Sequence, residues 1–261
     1  MKKLAPIEMK KVWGAEYWLA STHKAAKQTD FAQIAPDFPL IVKIIDAKEA
    51  LSVQVHPDDE AARRLEGENE RGKTECWLVL DAEEGAKLVD GIFPQVTRDE
   101  VAKSIENGTL EAKLHAVEVK KGDFVFIPAG KVHAIGGGLR LLEVQQSSDT
   151  TYRLYDYNRG RELHVRKGLE AMKTFPICNI EPFGESFSCD YFSLERVTVK
   201  NCAEIAVSEG IQLIFILQCE NCELISGETR LFAHKEELIA LEKGEKAALS
   251  GECEAIIIKA R

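Results

Sequence analysis

The sequence predicts an all-β fold, a sandwich or barrel carrying few short helices. Three observations predict it. Short apolar runs recur between turn signals along most of the chain, helical signal is confined to two places, and glycine-centred turns punctuate the apolar runs. In chain order, Leu40–Ile45, Leu51–Val55, Glu75–Leu80 and Lys87–Asp90 read as strands. Val117–Val119 leads through Lys121-Gly122-Asp123 into Phe124–Ile127, and Leu139–Gln145 follows the Gly136-Gly137-Gly138 run. The first helical stretch is Asp58–Leu65, opening just after Pro57 with carboxylates where the helix dipole favours them. The second is Arg98–Asn107, with Thr97 and Glu100 spaced as a capping box and Gly108 as the stop.

From about Cys178 the strand pattern begins again, with Phe192–Val199, Gln212–Gln218, Cys222–Ser226, Glu237–Leu241 and Ala255–Lys259. Two prolines and a glycine interrupt the pattern around Phe175–Gly184. The chain is therefore expected to divide into residues 1–177 and a smaller unit, 178–261. Lys243-Gly244-Glu245 echoes the earlier Lys-Gly-Asp turn, but no histidine motif follows it, so a metal site is expected only in the first part.

Composition narrows the function classes. Apolar residues make up 45% of the 261 and charged residues 30%, a globular profile. A net charge of -9 argues against a nucleic-acid binder, which needs a basic face, but allows a small anionic ligand held by a local cluster. No apolar run approaches the roughly 20 residues that span a bilayer, and Met1-Lys2-Lys3-Leu4 leads into no apolar signal core. A cytoplasmic protein is expected. The seven scattered cysteines, including the Cys219/Cys222 pair, read as reduced thiols that fill apolar space.

Gly122, Asp123, Pro128, Gly130 and His133 fill every fixed position of G-D-x-x-x-x-P-x-G-x-x-H. That run resembles the second sequence motif of the cupin superfamily, whose final histidine is a metal ligand. The resemblance makes the predicted fold a cupin, or jelly-roll, barrel with a degenerate cupin-like C-terminal unit. Gln54 and His56 stand two apart at the end of a strand and so share a face. Glu75 opens the next strand. Two imidazoles, a carboxylate and an amide oxygen make a mixed N/O set suited to zinc, with Mn, Fe and Co also open. His23, His115 and His234 lack such company and read as ordinary surface or core histidines.

The motifs around these residues resemble the type I mannose-6-phosphate isomerases, in their short bacterial branch. Gln54-Val55-His56-Pro57 is similar to the family's Q-x-H-P, and Gly72-Lys73-Thr74-Glu75-Cys76-Trp77 to its G-K-T-E-x-W. Residues 128–134 match P-x-G-x-x-H-A, and 142–159 match the segment that carries the family's active-site arginine. The likeness is strong over residues 38–175. It departs at the N-terminus, where Glu16-Tyr17-Trp18 follows Trp13-Gly14 almost at once, while relatives carry a longer insertion between them.

The resemblance implies one zinc ion per chain, or another divalent metal, on Gln54, His56, Glu75 and His133. It implies Arg153 as the catalytic arginine and Lys73 as a lysine lining the same pocket, and its place beside a metal cation makes Lys73 a candidate catalytic residue. The implied activity interconverts mannose 6-phosphate and fructose 6-phosphate through an enediol(ate), with a sugar phosphate as partner and neither nucleic acid nor membrane. Arg153 keeps its proton, which fits charge stabilisation rather than base work. Lys73, Asp156 and His164 are candidate proton carriers, and Lys73, Arg140, Arg159 and Ser21 are candidates for phosphate. The alternatives are a metal-dependent cupin isomerase for another aldose or sugar phosphate and a non-catalytic sugar-phosphate-binding cupin.

Overall fold

Residues 1–261 are described in a computed structural model whose chain is dominated by β-strands. It separates into two compact units, one of Glu8–Tyr17 and Val42–Pro182, the other of Met1–Ile7, Trp18–Ile41 and Phe183–Arg261. The sequence pattern groups all of residues 1–177 together. The Met1–Ile7 segment instead falls with the C-terminal residues because Lys2–Leu4 forms an antiparallel ladder with Leu238–Leu241. No helix is long and apolar enough to cross a membrane.

The site-bearing unit is built from two sheets. A five-stranded antiparallel sheet runs Tyr152–Tyr155, Val53–Val55, His133–Ile135, Lys87–Ile92 and Leu114–Glu118. A seven-stranded sheet contributes Asp123–Ile127, Glu75–Ala82, Leu139–Gln146 and, from Val42 onward, the strand Leu40–Ala47. Strand alternation sorts their side chains. Val53, Val55, Tyr152, Leu154, Val132 and Ala134 turn outward into one apolar cluster that also takes Val101 and Ala171 of the covering helices. Ile45, Trp77, Val79, Ile127, Ile135 and Leu141 turn inward into another. The residues between the outward set, Gln54, Arg153 and His133, therefore share the interior with the inward set.

The helix at Asp59–Glu66 is capped by Asp58, whose carboxylate accepts the Ala61 N–H at 2.8 Å. The one at Arg98–Glu106 has both halves of its expected capping box. A further helix, Val165–Ala171, gave no apolar stripe in the sequence because only Gly168 and Ala171 of it are buried. Gly168 lets it close on the strand below, since a Cβ there would lie 2.5 Å from Leu154 Cδ2.

The other unit is an eight-stranded antiparallel sheet around two 15-residue strands, Gln212–Ser226 and Lys246–Ala260. The sequence broke the first of these at Cys219. The structure carries it through with a bulge between Glu220 and Glu223, where Asn221 takes φ 52°. Ile214, Ile216, Leu224, Leu249 and Ala255 centre its core, joined by Cys222 and Cys253. No disulfide links any of the seven cysteines.

Candidate active site

His56, Glu75 and His133 place one ligand atom each within 4.8 Å of one another, and all three are buried. They come from three strand ends. His56 follows the Val53–Val55 strand, Glu75 begins Glu75–Ala82, and His133 begins His133–Ile135. Each ring is oriented from behind. His56 Nδ1 lies 2.8 Å from the Thr150 carbonyl and His133 Nδ1 lies 2.8 Å from the Lys131 carbonyl. A carbonyl only accepts, so both Nδ1 atoms carry the proton and both Nε2 lone pairs face the cluster. Gln54 brings its carboxamide within 3.3 Å of His133 Nε2.

Lys73 stands among these groups. Its ammonium lies 3.0 Å from His56 Nε2, contacts Glu75 Oε2, and is 3.5 Å from Glu143 Oε1. The segment before it is pinned by its backbone: Lys73 N–H donates to the Pro57 carbonyl and Gly72 N–H to Asp59. Gly72 packs so tightly there that a Cβ would come within 2.6 Å of the Asp58 and Asp59 backbone. The Gln146 side chain accepts the Thr74 N–H, and Ser148 donates to the Arg71 carbonyl, so the 145–148 stretch clamps the same segment.

The electrostatics fit a cation-binding pocket. Burial holds both imidazoles neutral, His56 well below its usual range and His133 at about 3. Burial, assisted by Glu143, pushes the Glu75 carboxyl up to about 7. Its Oε1 atom has no hydrogen-bond partner. Two aimed nitrogen lone pairs and an unpartnered buried carboxylate oxygen, with an amide beside them, are the donors a divalent metal takes. The residues fit such an ion.

Arg153 stands one rung away. It is the Cα partner of Gln54, and Gln54 is the Cα partner of His133, so the three form a lateral row across adjacent strands. Its Nη1 donates to the Glu162 carbonyl at 2.8 Å, while its buried Nε has no partner. Other candidates are engaged elsewhere. Asp156 is held by Arg159 and Arg161, which outweigh burial and keep its carboxyl below the usual range. His164 Nδ1 accepts the Arg153 backbone N–H. Arg140 pairs with Asp46, and Ser21 belongs to the other unit, where its hydroxyl accepts the His23 N–H.

A model of the phosphomannose isomerase type I catalytic domain matches residues 10–75 of the chain. The mannose-6-phosphate isomerase ManA of Bacillus subtilis is 40% identical over 215 residues, which are 76% of this chain and 67% of that protein. The chain belongs to the type I phosphomannose isomerase family. The crystal structure of the mannose 6-phosphate isomerase from Bacillus subtilis superposes with a TM-score of 0.85 at 27% identity, covering 98% of both chains. A mannose-6-phosphate isomerase of Streptococcus mutans is 44% identical over 151 residues, spanning 56% of this chain but only 47% of that protein. The matched domain contains Gln54, His56, Lys73 and Glu75, while His133 and Arg153 lie beyond it.

Within this phosphomannose isomerase family member, two site residues escaped the sequence reading. Glu143 accepts the Trp77 Nε1–H at 3.1 Å and is paired with Lys43 at 3.1 Å; Lys43 is 3.7 Å from Glu16. Burial pushes the Lys43 ammonium down, but Glu143, Glu16 and Glu75 carry it above its ordinary value. Burial likewise works against the Glu143 anion, and Lys43 and Lys73 prevail, holding it below the usual carboxylate range. The signal was present. Lys43 is the only charge in the run Leu40-Ile-Val-Lys-Ile-Ile, and Glu143 interrupts Leu139–Val144 at the parity of Leu141.

Proposed function

We propose that this chain is a zinc-dependent mannose-6-phosphate isomerase that interconverts mannose 6-phosphate and fructose 6-phosphate. The observation that carries the metal reading is the trio His56, Glu75 and His133, with two Nε2 lone pairs and one unpartnered carboxylate oxygen converging in a buried pocket. Gln54 completes the proposed ligand set. A bound divalent ion would supply Lewis-acid stabilisation of negative charge on the sugar's carbonyl and hydroxyl oxygens.

The chain's own residues have distinct tasks in this reading. Isomerisation moves a proton between C2 and C1 of the open-chain sugar, and its main cost is negative charge on the carbonyl oxygen. Arg153, with a free buried Nε one rung from Gln54, stabilises that charge and orients the substrate. Lys73 Nζ is the proton-carrying atom we assign, because it touches both His56 and Glu75. Glu143 orients that ammonium, with Lys43 behind it. Seven cysteines, none of them in a disulfide, suit a reducing, cytoplasmic setting.

Conversion of mannose 6-phosphate to fructose 6-phosphate by the purified protein tests this. Activity should vanish on chelation, return with zinc, and be absent in His133→Ala. A folded, zinc-loaded protein that binds mannose 6-phosphate without converting it would refute the catalytic reading. Turnover of a different aldose phosphate in its place would redirect the substrate assignment.

A further inference from the structure

We infer that the buried ion pair between Asp90 and Lys131 is a positioning device for His133, an inference that rests on the metal-site reading above. Lys131 Nζ lies 2.5 Å from Asp90 Oδ1, and the two side chains are 9% and 3% exposed. The contact is not aligned as a hydrogen bond, so it is held by charge. Neither residue touches the ligand cluster with its side chain.

Three links close a loop around His133. Its Nδ1–H donates to the Lys131 carbonyl at 2.8 Å, and that carbonyl determines which ring nitrogen carries the proton. The Lys131 side chain is bound to Asp90. Asp90 is itself the Cα partner of His133 on the neighbouring strand, so the sheet ladder fixes Asp90 to the histidine's own rung. The pair therefore ties the accepting carbonyl to the strand beside the ring that it orients. Gly91 gives the lysine stem room: its φ is +101°, and a Cβ there would stand 3.7 Å from Lys131 Cε. The turn before Lys131 is tied down as well, through Gly130 N–H to the His56 carbonyl at 2.8 Å and Lys131 N–H to the Pro128 carbonyl at 3.1 Å.

Energetics favour this over a purely stabilising role. Two charges taken from water regain little net stability by pairing, and an apolar pair of similar volume does as well. What the ion pair supplies, and an apolar pair does not, is a fixed position for the Lys131 backbone. Groups that orient a metal-binding histidine from behind typically change metal affinity by about 10–100-fold when removed.

The test is the His133 tautomer in metal-free protein, read from ring nitrogen shifts and couplings by NMR at neutral pH. Two variants are compared with wild type: Asp90→Leu combined with Lys131→Met, and Asp90→Asn as a milder form that keeps the side-chain shape. Wild type should show the proton on Nδ1. Whichever variant folds should populate the Nε2–H tautomer and lose about 10–100-fold in zinc affinity by chelator competition. Lys131→Arg, a control that keeps the charge, should retain the wild-type tautomer. A folded variant that keeps the wild-type tautomer population would overturn the inference. If wild-type protein binds zinc no better than His133→Ala, the metal reading fails instead, and the tautomer result still decides the positioning role.

Discussion

Replacing Lys43 by methionine keeps most of the side chain's volume and removes one charge from a chain of buried ions. Lys43 is 6% exposed and Glu143 is 2% exposed, so solvent does little to screen what is left behind. Removing one partner of such a pair typically costs about 3–5 kcal/mol, because the other charge stays buried without compensation. Glu143 would retain the Trp77 Nε1–H at 3.1 Å and Lys73 at 3.5 Å, which places the expected loss at the lower end, about 3 kcal/mol. Adding Glu143→Gln removes the stranded charge and should recover about 2 kcal/mol of this as coupling. The pH dependence has a definite sign. The Glu143 acid is held below its ordinary 4.5 in the folded protein, so the pair's contribution is fully present above that value. It is lost as pH falls through the lowered folded value, and the cost of Lys43→Met should shrink in step. Urea unfolding at pH 7 and at successively lower pH, followed by far-ultraviolet circular dichroism and tryptophan fluorescence, measures both quantities. A loss below about 1 kcal/mol at pH 7, or one that grows on acidification, would refute the buried-pair account.

Other predictions address the pocket and its support. Arg153→Gln should lower turnover by about 10²–10³ with little change in unfolding midpoint, measured by steady-state kinetics beside urea titration. Lys73→Met should raise zinc affinity in chelator competition while turnover falls by about 10² or more, because the ammonium competes with a metal for His56 Nε2 and Glu75. Zinc binding should release a proton from Glu75 and weaken about tenfold per pH unit below about 7, since both imidazoles are already neutral there. Calorimetry in buffers of differing ionisation enthalpy would expose a binding event without proton release. Gly168→Ala should destabilise by about 1–3 kcal/mol despite alanine's better helix propensity, because the added methyl meets Leu154 Cδ2 at 2.5 Å. A stabilised variant in urea would contradict that packing.

Much of this was legible in the sequence, for reasons that can be named. Pro128, Gly130 and His133 form a spaced motif whose turn residues have one geometric use, so the histidine is readable from the motif alone. Gln54 and His56 were readable because alternation along a strand is local. Glu143 and Lys43 were not, because their meaning lies in a pairing between strands about 100 residues apart, and each taken alone is merely a charge in an apolar run. Asp156 shows what sequence neighbours leave open. Its place three residues past Arg153 admits either a base or a salt-bridge partner of a nearby arginine, and Arg159 and Arg161 hold its carboxylate. The bulge at Asn221 hid a continuous strand, since an extra residue breaks the period of two that identifies one.

The row Arg153, Gln54, His133 and Asp90 gives the pocket its scale. Each member belongs to a different strand, and each neighbour is fixed by backbone hydrogen bonding at the interstrand repeat of about 4.8 Å. The separations between these groups are thus lattice constants of the sheet, set by peptide chemistry common to all proteins. Connecting loops can lengthen or shorten without changing them, and no single core substitution can stretch them. Selectivity among ions or sugars must then be tuned through side-chain reach from fixed lattice points, as in exchanging Asp for Glu or Gln for His. This is a discrete alphabet of adjustments in place of a continuous one.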